Sequence, residues 1–269
     1  MTKQKRRNAL PVVLVLGLIV AAVIILLLGF VFGLRYSTLD SGAKFLGRFR
    51  DGAPYKGTAY FTELKAKYNG ETKTLTYENG DVYVGDVKDL LPDGNGKMTY
   101  ASGDLYEGAW LAGVKEGVGT AIYTSGDTYS GEWKGGKHQG HGVYTFADGS
   151  SYTGYFVDNM KNGTGIYTYA NGDRFEGAFT DDMKNGKGTY TWANGNVYSG
   201  DFVNDVRTGT GTYTWANGDR YEGDFQNGKL HGKGTYTWAA EEGTQPRVYT
   251  GYFKEGIIDP QPYGEQPAA

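Results

Sequence analysis

Aromatic residues at Tyr83, Tyr106, Tyr129, Tyr152, Phe175, Tyr198 and Tyr221 follow one another at intervals of 23 residues. This period constrains the fold more than any other feature of the chain. An eighth start, Tyr249, comes 28 residues after Tyr221 because of an insertion at 241–248. Glycine lies two residues after each start, from Gly85 to Gly251. An aromatic lies four residues after the start in seven of the eight units, with Val87 the exception. A glycine pair follows, as in Gly163 and Gly165, and then an aromatic at Tyr100, Tyr123, Phe146, Tyr169, Trp192, Trp215 and Trp238.

Each unit reads as a β-hairpin. In one copy the first strand is Tyr152-Thr153-Gly154-Tyr155-Phe156, a six-residue loop spans 157–162, and the second strand runs from Gly163 to Tyr169. Asn171-Gly172-Asp173 makes the connection to the next unit, and Asn-Gly is the pair that tight hairpin turns prefer. Period-2 alternation and glycine density exclude helix. Alternation places Tyr152, Gly154 and Phe156, with Gly163, Gly165, Tyr167 and Tyr169, on one face, and Thr164, Ile166 and Thr168 on the other. Glycine is 44 of 269 residues, yet aromatics are 15%, which a disordered chain would not carry. The glycines instead give neighbouring rings room over the backbone. The expectation is an all-β, elongated antiparallel array of hairpin repeats. At about 4.8 Å per strand it would extend roughly 70–80 Å, held by nearest-neighbour contacts.

The succession Tyr-x-Gly-x-Phe/Trp, Gly-x-Gly, aromatic and Asn-Gly-Asp resembles the MORN (membrane occupation and recognition nexus) repeat. The array is placed at 83–256, seven units plus a half unit from Tyr249 to Gly256. A degenerate repeat with an insertion is placed at 45–82. Phe45-Leu46-Gly47-Arg48-Phe49 resembles a first strand and Thr76-Tyr77-Glu78-Asn79-Gly80-Asp81 a second-strand end and turn, while 50–76 has no assignment. The resemblance implies a domain for protein or lipid association, sometimes through dimerisation. In multidomain relatives the repeats accompany a catalytic domain, and no segment of that size is present here.

Ahead of the repeats, residues 1–11 form a basic tail with Lys3, Lys5, Arg6 and Arg7, and 12–34 carry no charged side chain. As a helix those 23 residues would span about 35 Å, enough to cross a bilayer. The apolar run exceeds the core of a cleaved signal and no clear cleavage site follows, so a single-pass transmembrane helix is expected. The basic N-terminus favours a cytoplasmic tail and an extracytoplasmic repeat domain. Residues 35–44 read as a linker and 257–269 as a tail with Pro260 and Pro262. Beyond residue 35 the chain holds 22 basic and 30 acidic side chains, a formal net charge of −8, which argues against nucleic acid as a partner.

No nucleophile with a base and an orienting group is visible, and the paired carboxylates do not depart from the repeat consensus, so no enzyme activity is expected. The absence of cysteine removes thiolate chemistry and disulfides. His138, His141 and His231 fall at different repeat offsets, and no metal or cofactor is expected. The recurrent aspartates Asp104, Asp127, Asp173 and Asp219 are too far apart to share an ion and read as turn residues. Two binding features remain. Lys115, Lys137, Lys161, Lys184, Arg207 and Lys229 fall eight or nine residues after their repeat starts and would line six loops as a basic ridge, suited to anionic lipid or an envelope polymer, although Asp158, Asp181, Asp182 and Asp205 share those loops. The aromatic face could pack between repeats or contact a partner: a second copy, an extended peptide or a glycan. The expected function is a membrane-anchored interaction scaffold for protein–protein association, with the ridge as the alternative.

Overall fold

The computed structural model describes residues 32–61 and 65–259, together with residues 19, 20, 23, 24, 27, 29 and 30. Most of the expected membrane span at 12–34, and residues 260–269 of the expected tail, lie outside the described residues. Among the described residues no helix is long and apolar enough to cross a membrane.

From Arg35 onward the described secondary structure is all β, in two compact units that divide between Lys115 and Glu116. The first contains β1 (Arg35–Thr38), β2 (Lys44–Arg50), β3 (Ala53–Tyr60), β4 (Lys65–Asn69), β5 (Thr74–Tyr77), β6 (Val82–Lys88), β7 (Leu91–Thr99) and β8 (Leu105–Leu111). The second takes most of β9 (Val114–Ile122), then β10 (Thr128–Lys134), β11 (Lys137–Thr145), β12 (Ser151–Val157), β13 (Met160–Thr168) and β14 (Arg174–Thr180). It continues with β15 (Met183–Thr191), β16 (Val197–Val203), β17 (Val206–Thr214), β18 (Arg220–Gln226), β19 (Lys229–Thr237), β20 (Val248–Lys254) and β21 (Ile257–Asp259). Within each unit every strand pairs antiparallel with its neighbours in sequence, as a meander.

The hairpin unit is tighter than the sequence suggests. Only Asp158 and Asn159 separate β12 from β13, and Lys161 and Asn162 belong to the second strand rather than to a six-residue loop. The reason is a bulge. Gly154 faces Gly165, but Tyr155 faces Asn162, so Gly163 and Thr164 have no partner on β12. Gly163 sits at φ +69, and the position its Cβ would take lies 3.5 Å from Tyr155, away from the aromatic face. Gly163 therefore does not share a face with Gly165, contrary to simple alternation: a positive-φ bulge reverses the side-chain direction locally.

In each unit the core is built on a row of rings. Tyr83, Tyr106, Tyr129, Tyr152, Phe175, Tyr198 and Tyr221 are all fully buried. Tyr83, Tyr129, Tyr152, Phe175, Tyr198 and Tyr221 each lie over their own paired glycines: a Cβ on Gly165 would come within 2.4 Å of the Tyr152 hydroxyl oxygen. The aromatic four residues on completes the row, with Tyr152 edge-on to Phe156 at 5.1 Å and to Phe179 of the next repeat at 5.1 Å. Rings at such distances and angles gain quadrupolar attraction beyond area burial. The repeats thus interlock through neighbours alone.

The segments without clear repeat sequence are also strands. Residues 35–38, expected as linker, form β1 and pair with β2. Leu39 N–H donates to Ala43 and Gly42 N–H to Leu39, the same turn that Tyr169, Asp173 and Gly172 form later. Phe45 is fully buried over Gly47 and Gly57, so β2 and β3 make a repeat-like hairpin. The unassigned stretch 50–76 holds β3, β4 and β5.

Candidate functional site

Cross-strand pairing decides which expected ridge residues point where. In β12–β13 Lys161 faces Phe156, and Lys184 and Arg207 likewise face Phe179 and Phe202. These cations, all nine residues after a repeat start, lie on the aromatic face. Lys137 faces Lys134 and Lys229 faces Gln226, one step along the strand and hence on the opposite face. At their repeats the inward position is taken by His138 and Leu230, opposite Trp133 and Phe225. The ridge is therefore not one surface. Lys137 and Lys229 make exposed ion pairs with Asp158 at 3.0 Å and Glu255 at 2.6 Å. In the first unit Lys115 lies 5.1 Å above the Tyr100 ring and 4.9 Å above Tyr106. Burial pushes its ammonium below its ordinary value, with Asp104 opposing.

The inward cations of the second unit rest on rings. Lys184 lies 5.7 Å above Tyr169 and 5.7 Å above Phe175, and Arg207 lies 5.2 Å above Trp192, 5.5 Å above Tyr198 and 5.4 Å above Tyr213. Contacts in this range are attractive through the ring quadrupole. Lys184 also donates to the Tyr169 hydroxyl at 3.0 Å and pairs with Asp205 at 3.0 Å. Burial pulls its pKa down, and those two partners more than offset it, so the net shift is upward.

Beside the cations runs a second row of aromatics, half-buried rather than enclosed. From Tyr167 to Trp238 each ring meets the next: Tyr167 to Tyr169 at 4.5 Å, Tyr169 to Tyr190 at 5.7 Å, Tyr190 to Trp192 at 4.5 Å, Trp192 to Tyr213 at 5.3 Å. Tyr213, Trp215, Tyr236 and Trp238 continue it at 4.5, 5.1 and 4.6 Å. Tyr144 and Phe146 precede it, 4.6 Å apart, with Phe146 at 5.8 Å from Tyr167. The sequence marked these positions as aromatic without separating them from the enclosed row.

The ladder, the cations and the turns enclose a recess that recurs. One copy has His138 and Lys161 as walls, Tyr144, Phe146 and Phe156 beneath, and Asn159 and Asp182 at the rim. Two repeats later the same places are held by Lys184 and Arg207, then Tyr190, Trp192 and Phe202, then Asp205 and Gly228. A broader, shallow trough on the opposite face is lined by glycine, threonine and serine around Glu176, Lys187 and Glu222, without apolar side chains converging on it.

The histidines do not assemble. His138 is buried, stacked on Tyr129 at 3.7 Å and bonded to the Tyr123 hydroxyl at 3.0 Å, whereas His141 packs against Tyr155. His231 lies opposite Asp224 between β18 and β19. Among the described residues no group of three or more His, Asp or Glu could hold a metal ion. The recurrent aspartates join successive turns. Asp127 accepts from Tyr144 and Ala147, Asp173 from Tyr190 and Ala193, and Asp219 from Tyr236 and Ala239, each in the following repeat.

Comparison with curated proteins finds no matching sequence. Among solved structures, the TCP domain of SAS-4 (dCPAP) of Drosophila melanogaster, in complex with a proline-rich motif of Ana2, is 14% identical, with 70% of this chain and 87% of that chain covered and a TM-score of 0.34. The wild-type TCP10 domain of CPAP from Danio rerio is 9% identical, with 72% and 98% covered and a TM-score of 0.37. Likenesses at these scores carry no argument. The family model described as MORN repeat matches seven consecutive segments, 83–105, 106–128, 129–151, 152–174, 175–197, 198–220 and 221–240. These segments take up more than half of the chain and begin at the buried aromatic of each hairpin, so the chain belongs to the MORN-repeat family.

Proposed function

We propose that this chain is a non-catalytic, membrane-tethered interaction scaffold whose aromatic ladder receives an extended segment of a partner protein. The observation that carries the reading is the ladder from Tyr144 to Trp238: eight of its rings run unbroken from Tyr167, half-exposed on one face, and no second layer covers them among the described residues. Contiguous exposed apolar surface of this kind marks interfaces. Tyrosine and tryptophan offer large rigid contact area with polar tips, which suits adhesion at low entropic cost. An extended peptide rises about 3.3 Å per residue, so three of its residues span the ~10 Å of one two-stranded repeat. The tether rests on the charge-free run 12–34 behind a basic tail, which supports an N-terminus in the cytoplasm and a repeat domain outside it.

The alternative, an anionic lipid or polymer held on a basic ridge, has less support. Lys137 and Lys229 face away from Lys161, Lys184 and Arg207, and Lys161 and Lys184 are paired with carboxylates. Two measurements test the proposal. Peptide-display selection on the full-length protein should recover extended sequences that shield Trp192, Trp215 and Trp238 from a soluble quencher. Recovery of none, or of peptides that leave these residues open, would remove the interaction reading. Protease added outside intact cells should digest the repeats; protection until lysis would reverse the orientation.

A further inference from the structure

The recess between Lys184 and Arg207 differs in charge from those before it. Along the second unit, the inward cation of one repeat meets the turn of the next. Lys161 pairs with Asp182 at 2.8 Å and Lys184 with Asp205 at 3.0 Å, and the same carboxylates accept the Lys161 and Lys184 backbone N–H groups. At Arg207 the corresponding turn residue is Gly228. The guanidinium donates to the Gly228 carbonyl at 2.8 Å, and no carboxylate pairs with it among the described residues. A guanidinium carries five N–H donors in a planar fork, so most remain for a ligand. The half-buried rings of Trp192 and Tyr213 lie under it at 5.2 and 5.4 Å and lower the local dielectric, which strengthens any ion pair formed there.

We propose that Arg207 is an anion subsite of the groove, taking a single carboxylate carried by an acidic, extended peptide. This rests on the reading of the ladder as an interaction surface and names the chemistry of its partner. Carboxylate matches the guanidinium fork in a bidentate arrangement. Asp205 lies in the same recess and repels a dianionic phosphate more than a monoanion. The recess opens onto the ladder, where residues flanking the carboxylate find aromatic rings at the interval of successive repeats.

Gly228 supplies the test. Its Cβ would come 3.7 Å from the Arg207 guanidinium, an ordinary contact, and its φ of +79 resembles that of Asp182 (70) and Asp205 (68). Gly228→Asp therefore installs the carboxylate that the two preceding repeats already have. The probe is a labelled random copolymer of glutamate and tyrosine, titrated into full-length protein in neutral detergent. Inorganic phosphate and phosphatidylglycerol vesicles serve as separate arms. The expected result is salt-sensitive copolymer binding that Gly228→Asp and Arg207→Ala weaken tenfold or more. Asp205→Gly, which uncovers Lys184, tightens it several-fold, and Lys137→Ala on the opposite face leaves it unchanged. Binding indifferent to Gly228→Asp, or confined to phosphate or vesicles, overturns the subsite. If display peptides shield the tryptophans yet ignore Gly228→Asp, the ladder reading stands and the Arg207 assignment falls. If neither peptides nor copolymer bind, both fall.

Discussion

The carboxylate of Asp173 accepts the Tyr190 hydroxyl at 2.7 Å through Oδ2 and the Ala193 backbone N–H at 2.8 Å through Oδ1, so one turn residue anchors both the second strand and the turn of the next repeat. Asn196 does the same in amide form, donating to the Tyr213 hydroxyl at 2.9 Å and accepting from Ala216 N–H at 2.9 Å. The Ala193 N–H, then the Tyr190 hydroxyl, hold the Asp173 carboxyl below its ordinary value. A depressed folded pKa gives stability that is present above the unfolded value of about 3.9 and lost as pH falls through the folded one. Amide-exchange protection of Ala193 should therefore fall on acidification below about pH 4, with Ala147 and Ala239 following Asp127 and Asp219. Ala216, held by Asn196, should show no such dependence. Equal acid sensitivity at all four amides would contradict the clamp.

Replacing Tyr152 and replacing the glycine beneath it should have opposite severity. Tyr152→Phe loses only the hydroxyl donated to the Tyr155 carbonyl at 3.1 Å, and Phe175 already fills the equivalent place. The cost should be about 0.5–1.5 kcal/mol. Gly165→Ala drives a methyl into a ring that is fully buried and cannot withdraw. It should cost about 1–3 kcal/mol or more. Exchange protection in β12 and β13 reads both locally, which suits a repeat array whose unfolding need not be two-state.

The two kinds of lysine separate by the same measurement. Lys161 has 17% of its side chain exposed, and it spans the Tyr152 and Tyr167 rings while pairing with Asp182. Lys161→Ala should destabilise its hairpin by about 1–2 kcal/mol through lost stem packing as well as charge. Lys137 is exposed and paired only at the surface, so Lys137→Ala should stay within about 0.5 kcal/mol of the parent.

The period, the enclosed aromatics and the Asn-Gly-Asp turns were legible because each has a direct physical cause in a hairpin array. The orientation of the cations was not. Lys137 and Lys161 both look like loop lysines, and the difference between eight and nine residues after a start matters only once the loop is known to be a strand. That depended on the bulge at Gly163, which a glycine in an alternating pattern does not announce. The strands in 35–38 and 50–76 were hidden for another reason. Leu39 and Ala43 form the repeat turn with Ser41 as its side-chain acceptor, without the aromatic or the Asn-Gly-Asp that mark it elsewhere. Arg207 stood in the sequence as one more basic residue. Its distinction lies in Gly228, 21 residues away, where the two preceding repeats carry Asp182 and Asp205.

The most direct test of the ladder as a binding surface is the affinity of a display-selected peptide for the full-length protein and for the Trp192→Ala/Trp215→Ala double variant. Both tryptophans are half-buried and outside the enclosed row, so the variant should keep the exchange protection of Tyr198 and Tyr221. Affinity should fall about 30-fold or more, as for loss of an aromatic hot spot. Unchanged affinity in a folded variant would contradict the assignment and move the search to the opposite face around Glu176 and Lys187.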